Sequence, residues 1–341
     1  MEAVIMQEKD RHTWDEFVMD NPSSIAWQSY GWSEVVRRHY GLDFYPLAVF
    51  DGPRICGILP LYRMKGITGK SELMSVPYAV AGGILADEPG VQSLLIEKAV
   101  QLSRQYGGCR ITLKQYKIKI GGDLRVDDNY YNRELSLTKD LDELWKSISE
   151  QNREKVTEAL KLGAVLDYPS TDIDAFYKLL LVHHHRRGIP CVGKRWIEDL
   201  LAFQMYSIAL LKVGGRVVAG TMVKEFKKTI SFPFTCLAEN SSDVALPAYA
   251  LYWKLIEYFA ARGKAIFHSG RIPMNDEAEA HRLGWGGTKH QYFYQYHPNT
   301  GGKTEFSTRR GRKRDLFEKG WKRLPLSVAG MLGPRIVKYF P

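Results

Sequence analysis

Apolar positions along the chain run through the same succession twice. Residues 47–59 read Leu-Ala-Val-Phe-Asp-Gly-Pro-Arg-Ile-Cys-Gly-Ile-Leu, and residues 208–222 read Ile-Ala-Leu-Leu-Lys-Val-Gly-Gly-Arg-Val-Val-Ala-Gly-Thr-Met. Each is an apolar run, a glycine turn with a basic residue, and a second apolar run, which predicts a β-hairpin in both places. A further apolar strand follows, over 72–85 in the first copy and 229–236 in the second. Then comes a helix, over 91–106 with Leu94, Leu95, Ala99 and Leu102 on one face, and over 248–262 with Leu251, Leu255, Ile256 and Phe259. Gly107-Gly108 and Gly263 stop these helices, and 109–114 and 265–267 read as the strands beyond them. Helical sequence also precedes each hairpin, over 14–19 and 29–39, then over 173–185 and 195–204.

Both halves therefore read helix, helix, strand, strand, strand, helix, strand. That order predicts an α/β chain with mixed sheets, divided into domains over 1–165 and 166–308 and a tail over 309–341. Two domains also suit 341 residues, because single cores rarely grow beyond about 250–300 residues. Between the halves, 141–162 reads as one helix with Lys146, Arg153, Glu154 and Lys161 on its polar face, and no Pro/Ser-rich linker intervenes.

Composition narrows the function classes. The hydrophobic share of 45% and charged share of 25% are those of a globular chain. Cys56, Cys109, Cys191 and Cys236 lie far apart without a CxxC pair, which argues against a disulfide framework or a cysteine-rich zinc site. The start of the sequence lacks a signal-peptide pattern and no apolar run reaches membrane-spanning length, so a cytoplasmic protein is expected. Net charge is +10, and Arg309, Arg310, Arg312, Lys313 and Arg314 concentrate part of it. Such an excess favours anionic partners such as nucleic acid, phosphorylated carriers or lipid.

The order of elements resembles that of a GNAT acyltransferase domain, and two in tandem resemble the FemAB family of aminoacyl and acyl transferases. Val76-Pro77-Tyr78-Ala79-Val80-Ala81-Gly82-Gly83 is similar to the family's Pro-Phe…Gly-Gly strand. Asn152-Arg153, Lys155 and Ala159-Leu160-Lys161 resemble its Arg-Asn-x-Ile-Arg-Lys-Ala helix, and Arg186-Arg187-Gly188-Ile189-Pro190 its Arg-x-Gly-x-Pro turn. Gly270-Arg271, closing with His281-Arg282-Leu283-Gly284-Trp285-Gly286, resembles Gly-Arg followed by Phe-Lys-x-x-Trp-Gly. The resemblance covers roughly 10–300 and is nearest the subgroup associated with exosortase and exopolysaccharide systems. Arg282 stands where the family has Lys, His281 where it has Phe, and His268-Ser269 where many relatives carry an acidic and an apolar residue.

What the resemblance implies is acyl transfer to an amine, which needs a positioned carbonyl and a donor for its developing oxyanion. It places Arg282 as the cationic donor. His268, at the end of a strand, is a candidate general base; Asp276, Glu277 and Glu279 are alternatives. Arg271, Tyr78, Arg153 and Trp285 are candidate substrate-binding residues. His183-His184-His185 is not a chelating set, because neighbours on a helix point about 100° apart, and no metal is expected. The turns at 86–90 and 240–247 lack the glycine-rich phosphate-cradling pattern of a CoA groove.

No tightly bound cofactor is expected, the donor being aminoacyl-tRNA or acyl-CoA as co-substrate. The leading reading is transfer of an aminoacyl or acyl group to an amine of an envelope glycan or peptidoglycan-type precursor. An acyl-CoA-dependent N-acyltransferase of exopolysaccharide biosynthesis is the second reading, and a non-catalytic twin-GNAT module binding nucleic acid or membrane the third. Residues 316–340 mix apolar and basic positions, which fits peripheral contact with an anionic membrane through 309–341 and equally fits packing across the second domain.

Overall fold

The computed structural model describes residues 1–66, 69–238, 246–274, 284–298 and 312–339, the side chains of 312–314 excepted. These form two compact units. The first holds Met1–Tyr131 and the chain from His290; the second holds Asn132–Lys289 and the C-terminal helices up to Lys338.

In the first unit β1 (Ala3–Ile5), α1 (Arg11–Asp20) and α2 (Tyr30–Tyr40) lead into β2 (Asp43–Asp51), β3 (Arg54–Lys65) and β4 (Ser71–Ser75). α3 (Pro89–Arg104) and β5 (Arg110–Tyr116) follow, and β6 (Arg125–Ser136) carries the chain into the second unit. The sheet is antiparallel except where β4 and β5 run parallel, the crossover between them being α3. One sheet face packs Leu47, Leu59, Leu61, Leu73 and Ile111 against Val91, Leu95 and Ala99 of α3. The other carries packed rings, Tyr30 edge-to-face with Phe44 at 5.5 Å and Phe44 tilted on Tyr62 at 4.7 Å.

The second unit repeats the plan. Its elements are α4 (Leu141–Ser147), α5 (Glu150–Leu160), β7 (Val165–Ser170), α6 (Ile173–Arg187), α7 (Lys194–Ala202), β8 (Tyr206–Val213) and β9 (Arg216–Phe226). β10 (Thr229–Ser231), β11 (Cys236–Leu237), α8 (Leu246–Ala261), β12 (Ile266–His268), β13 (Ile272–Pro273) and β14 (Thr288–His297) follow. β14 returns to the first unit and pairs with β5. The strands of this unit run β6-β12-β10-β9-β8-β7, and again a parallel contact, β10 with β12, spans a helix, α8. Leu251, Leu255, Ile256 and Phe259 of α8 bury against Val223, Ile230, Phe267 and Leu135.

The stretch 141–162 is two helices rather than one. Ile148 is extended and buried, and Ser149 starts α5 by accepting the Asn152 amide hydrogen. Asp140 caps α4 through the amides of Asp142 and Glu143. The tail forms α9 (Arg312–Lys322) and α10 (Leu326–Val337), which pack on α6. Trp321 and Ala329 are buried there, and His185 Nε2 lies 2.9 Å from the Leu324 carbonyl. Gly333 is needed at this seam, since a Cβ would come 2.6 Å from the Cys191 carbonyl.

Candidate active site

The parallel pair of the second unit comes apart at its C-terminal ends. Ile230 pairs with Phe267 and Ser231 with His268, and there the ladder stops. Beyond Ser231 the chain turns through Phe232-Pro233-Phe234-Thr235, with Phe234 left-handed at φ 59, and returns as β11 beside Ala219 and Gly220 of β9. The bulge is pinned: Met222 donates its amide to the Pro233 carbonyl, and Thr221, Thr235 and Tyr252 hydroxyls are linked at 2.9 Å steps. Beyond His268 the chain is held the other way. Ser269 exchanges amide and hydroxyl bonds with Arg133 on β6, and its hydroxyl donates to Asn132. A crevice at the carboxyl ends of diverging parallel strands is where α/β sheets characteristically take ligands.

Directly paired residues share a sheet face. Tyr206 pairs with Lys224, Lys224 with Ser231, Ser231 with His268, and His268 with Glu134. Five polar side chains therefore line one row across five strands, on the face that α6 covers farther along at Gly220. Neighbours in such a row lie about 5 Å apart. Lys224 is 7% exposed, and burial pushes its ammonium down to about 7 from an ordinary 10.5. His268 Nδ1 accepts the Gly270 amide hydrogen at 3.1 Å. In the neutral ring the proton is then on Nε2, so His268 is arranged to donate from Nε2 rather than to take a proton there.

The opposite face of the sheet, under α8, carries a closed aromatic wall. Phe232 lies 4.8 Å from Phe267 and 5.2 Å from Tyr252, with Trp285 5.8 Å from Tyr252. Trp285 is 2% exposed, so its ring belongs to the core. The turn around it locks onto the α4–α5 junction. The Ser149 amide donates to the Gly284 carbonyl, and a Cβ on Gly284 would come 2.3 Å from the Asn152 side chain. Arg153 donates to the carbonyl of Ile148 at 2.7 Å, closing the end of α4. Asn152-Arg153 and Gly284-Trp285-Gly286, distant in sequence, thus form one packed joint.

Gly287 meets the backbone of β6 next to that joint. Its φ is +86, and a Cβ would lie 2.4 Å from the backbone oxygen of Glu134. Gly287→Ala is expected to destabilise the second unit by about 2–3 kcal/mol, since both strain and a backbone clash oppose it. Urea unfolding of the two proteins measures this, and an unchanged midpoint would contradict it.

The first unit has the corresponding bulge, but its split is filled. After Ser75 the chain turns through Val76 at φ 44 and Tyr78 at φ 61, and returns to bridge Leu85 with Ile58 of β3. Gly82 and Gly83 donate amides to the Lys114 carbonyl. The buried Lys114 ammonium donates to the Ala79 carbonyl at 3.1 Å. Tyr78 stacks on Tyr40 at 4.0 Å, and burial pushes both phenols up. Beside this loop Gln28, Asp87, Gln115 and Tyr116 line a small groove of about 30 Å³, open to solvent.

Of the residues singled out from sequence, the second unit brings His268 and Arg271 to one strand end, with Arg153 and Trp285 in the joint beside β6. Tyr78 belongs to the first unit. Arg282, Asp276, Glu277 and Glu279 lie outside the described residues, as does most of the turn at 240–247. The three histidines of α6 serve separate contacts. His183 Nδ1 accepts the Leu237 amide hydrogen, His184 approaches the Pro190 carbonyl, and His185 the Leu324 carbonyl. Burial pushes His183 down to about 4. Among the described residues no three His, Cys, Asp or Glu side chains are grouped to hold a metal ion.

Helix, helix, antiparallel strands, bulged fourth strand, helix and a parallel fifth strand, occurring twice, define a tandem GNAT fold. Solved structures place it further. FemX is similar at 13% identity over 86% of this chain and 97% of its own, with a TM-score of 0.66. The C-terminal domain of a putative lysylphosphatidylglycerol synthetase from Agrobacterium fabrum matches at 13% identity over 86% and 92%, TM-score 0.58. A tandem GNAT protein from the clavulanic acid biosynthesis pathway matches at 11% identity over 86% and 97%, TM-score 0.52. The fold is a FemAB-like pair of GNAT domains. No protein-family model matches the sequence, and no curated protein matches it.

Proposed function

We propose that this chain transfers an aminoacyl or acyl group to an amine of a cell-envelope glycan or peptidoglycan-type precursor, with the reaction in the crevice of the second unit. The observation that carries the reading is the parting of β10 and β12 at Ser231 and His268, set in a fold shared with FemX and with a lysylphosphatidylglycerol synthetase domain. A strand split with a polar row on one sheet face and an aromatic wall on the other suits a carbonyl group beside an amine.

The donor's carbonyl is attacked by the acceptor amine, the new C–N bond forms, and the bond to the ribose oxygen or CoA sulfur breaks. The amine's proton ends on that leaving oxygen or sulfur. His268 donates from Nε2 to the developing oxyanion, with Arg282 as the second donor. Lys224 is the group on the row that can take up the amine's proton, since near pH 7 a large share of it is neutral. Arg271 holds the donor's phosphate, and the joint at Arg153 and Trp285 fixes the wall. Tyr78 belongs to acceptor binding in the first unit. The domains proposed over 1–165 and 166–308 each hold one copy of the repeat.

The donor class is tested by thermal unfolding with a panel of acyl-CoAs and with aminoacyl-tRNA. A ligand at about a hundred times its dissociation constant adds roughly 2.7 kcal/mol, a shift of a few degrees. A shift with aminoacyl-tRNA alone is the expected result. A shift with one CoA thioester, lost in Arg271→Ala, would move the donor to CoA, and no shift with either would overturn the reading.

A further inference from the structure

The outer face of α9 and α10 is charged and apolar at once. Residues 312–338 hold eight Lys or Arg against two Asp or Glu, a net +6 of the chain's +10. Trp321, Ala329 and Gly333 turn inward to α6. Leu316 at 62%, Met331 at 57% and Phe317 at 45% remain exposed on the outside, with Leu326 beside them at 37%. Lys319, Lys322, Arg323 and Arg335 are exposed around these residues, and none of the four forms an ion pair among the described residues. No described helix is long and apolar enough to cross a bilayer.

We propose that this face docks the protein on an anionic lipid surface, the apolar side chains entering the headgroup region and the basic ones meeting its charge. Helices that lie in the membrane interface combine these two features. Each Lys or Arg near an anionic leaflet adds to the attraction. A second copy of the chain is disfavoured as occupant, because it would bring +6 against +6. Nucleic acid would use the charge and leave Leu316, Phe317 and Met331 in water. The face lies wholly in the second unit, and the inference stands independently of the transfer reaction.

The test is cosedimentation of the full chain with two vesicle types, pure phosphatidylcholine and phosphatidylcholine with roughly one lipid in four replaced by phosphatidylglycerol. Binding is expected to be at least about tenfold stronger to the anionic vesicles at low salt, and to weaken as salt rises. The double variant Leu316→Ser with Met331→Ser is expected to lose about tenfold in anionic-vesicle binding. Its Tm should stay unchanged, because both side chains are exposed. Arg335→Glu should weaken binding as well. Equal binding to both vesicle types, undiminished binding by the double variant, or salt-sensitive binding to single-stranded RNA without vesicle binding would each overturn the proposal.

Discussion

Replacing Lys224 with methionine should make the protein more stable, by up to about 4 kcal/mol at pH 7. The lysine's folded value lies near 7 and its ordinary value is 10.5, a displacement caused by burial. Because the folded value is depressed, the unfolded chain binds more protons between those limits. Stability is therefore fully present above about 10.5 and is lost as pH falls toward 7. Methionine keeps the aliphatic stem and removes this dependence. Thermal scans across pH 7–10 should show the second unit's transition rising with pH in the parent protein. In Lys224→Met it should be higher and flat, by about 5 °C or more at pH 7. A variant that unfolds earlier than the parent would mean that the ammonium is compensated in place. Retention of so costly an amine on the row with His268 is what a group used in the reaction would show.

His268→Ala should slow transfer by about 10²–10³-fold, the usual loss when one oxyanion donor is removed. The ring's orientation decides what to expect of the milder change. Since Nδ1 already accepts the Gly270 amide hydrogen, the proton on Nε2 is what the site presents. Glutamine carries a donating nitrogen at comparable reach and should restore part of the rate. A general base would be rescued by neither alanine nor glutamine. Steady-state kinetics of the three proteins separate the roles: recovery in His268→Gln supports the donor, and equal loss in both variants contradicts it. A KM change with kcat unaltered would move His268 to substrate binding.

The doubled order of elements could be read from sequence because glycine turns and helical periodicity are local signals. The hairpins, helices and glycine stops at Gly107-Gly108 and Gly263 recur in the structure within a few residues. The strands expected over 72–85 and 229–236 each break at a serine, Ser75 and Ser231. A signal for that existed. Ser75-Val76-Pro77-Tyr78 and Ser231-Phe232-Pro233-Phe234 share a Ser-x-Pro-aromatic pattern, and both aromatic residues adopt a left-handed φ, 61 and 59. Proline removes a ladder donor, so it marks the bulge in both units.

β6 and β14 escaped the sequence reading for a different reason. Asp127, Asp128 and Asn129 are poor strand formers, and only pairing with neighbouring strands overrides that preference. The polar row was equally hidden. His268 could be singled out alone, but Lys224, Ser231 and Glu134 acquire meaning only from register, which no local pattern encodes. The helix pair α4–α5 stands between the two copies in sequence, and its packing on α8 assigns it to the second unit. The resemblance points to Arg153 and Trp285 as binding residues, and in the structure both form part of the joint.

In the proposed reaction the crevice at Ser231 and His268 joins an activated carbonyl to an amine. The most direct measurement is donor consumption by the purified protein, with aminoacyl-tRNA and acyl-CoA offered separately, each with and without an amine-bearing peptidoglycan-type precursor. The expected result is consumption of one donor that depends on the acceptor, yields an amide-linked product, and collapses in His268→Ala. Consumption indifferent to the acceptor, or equal in the parent protein and the variant, would contradict it.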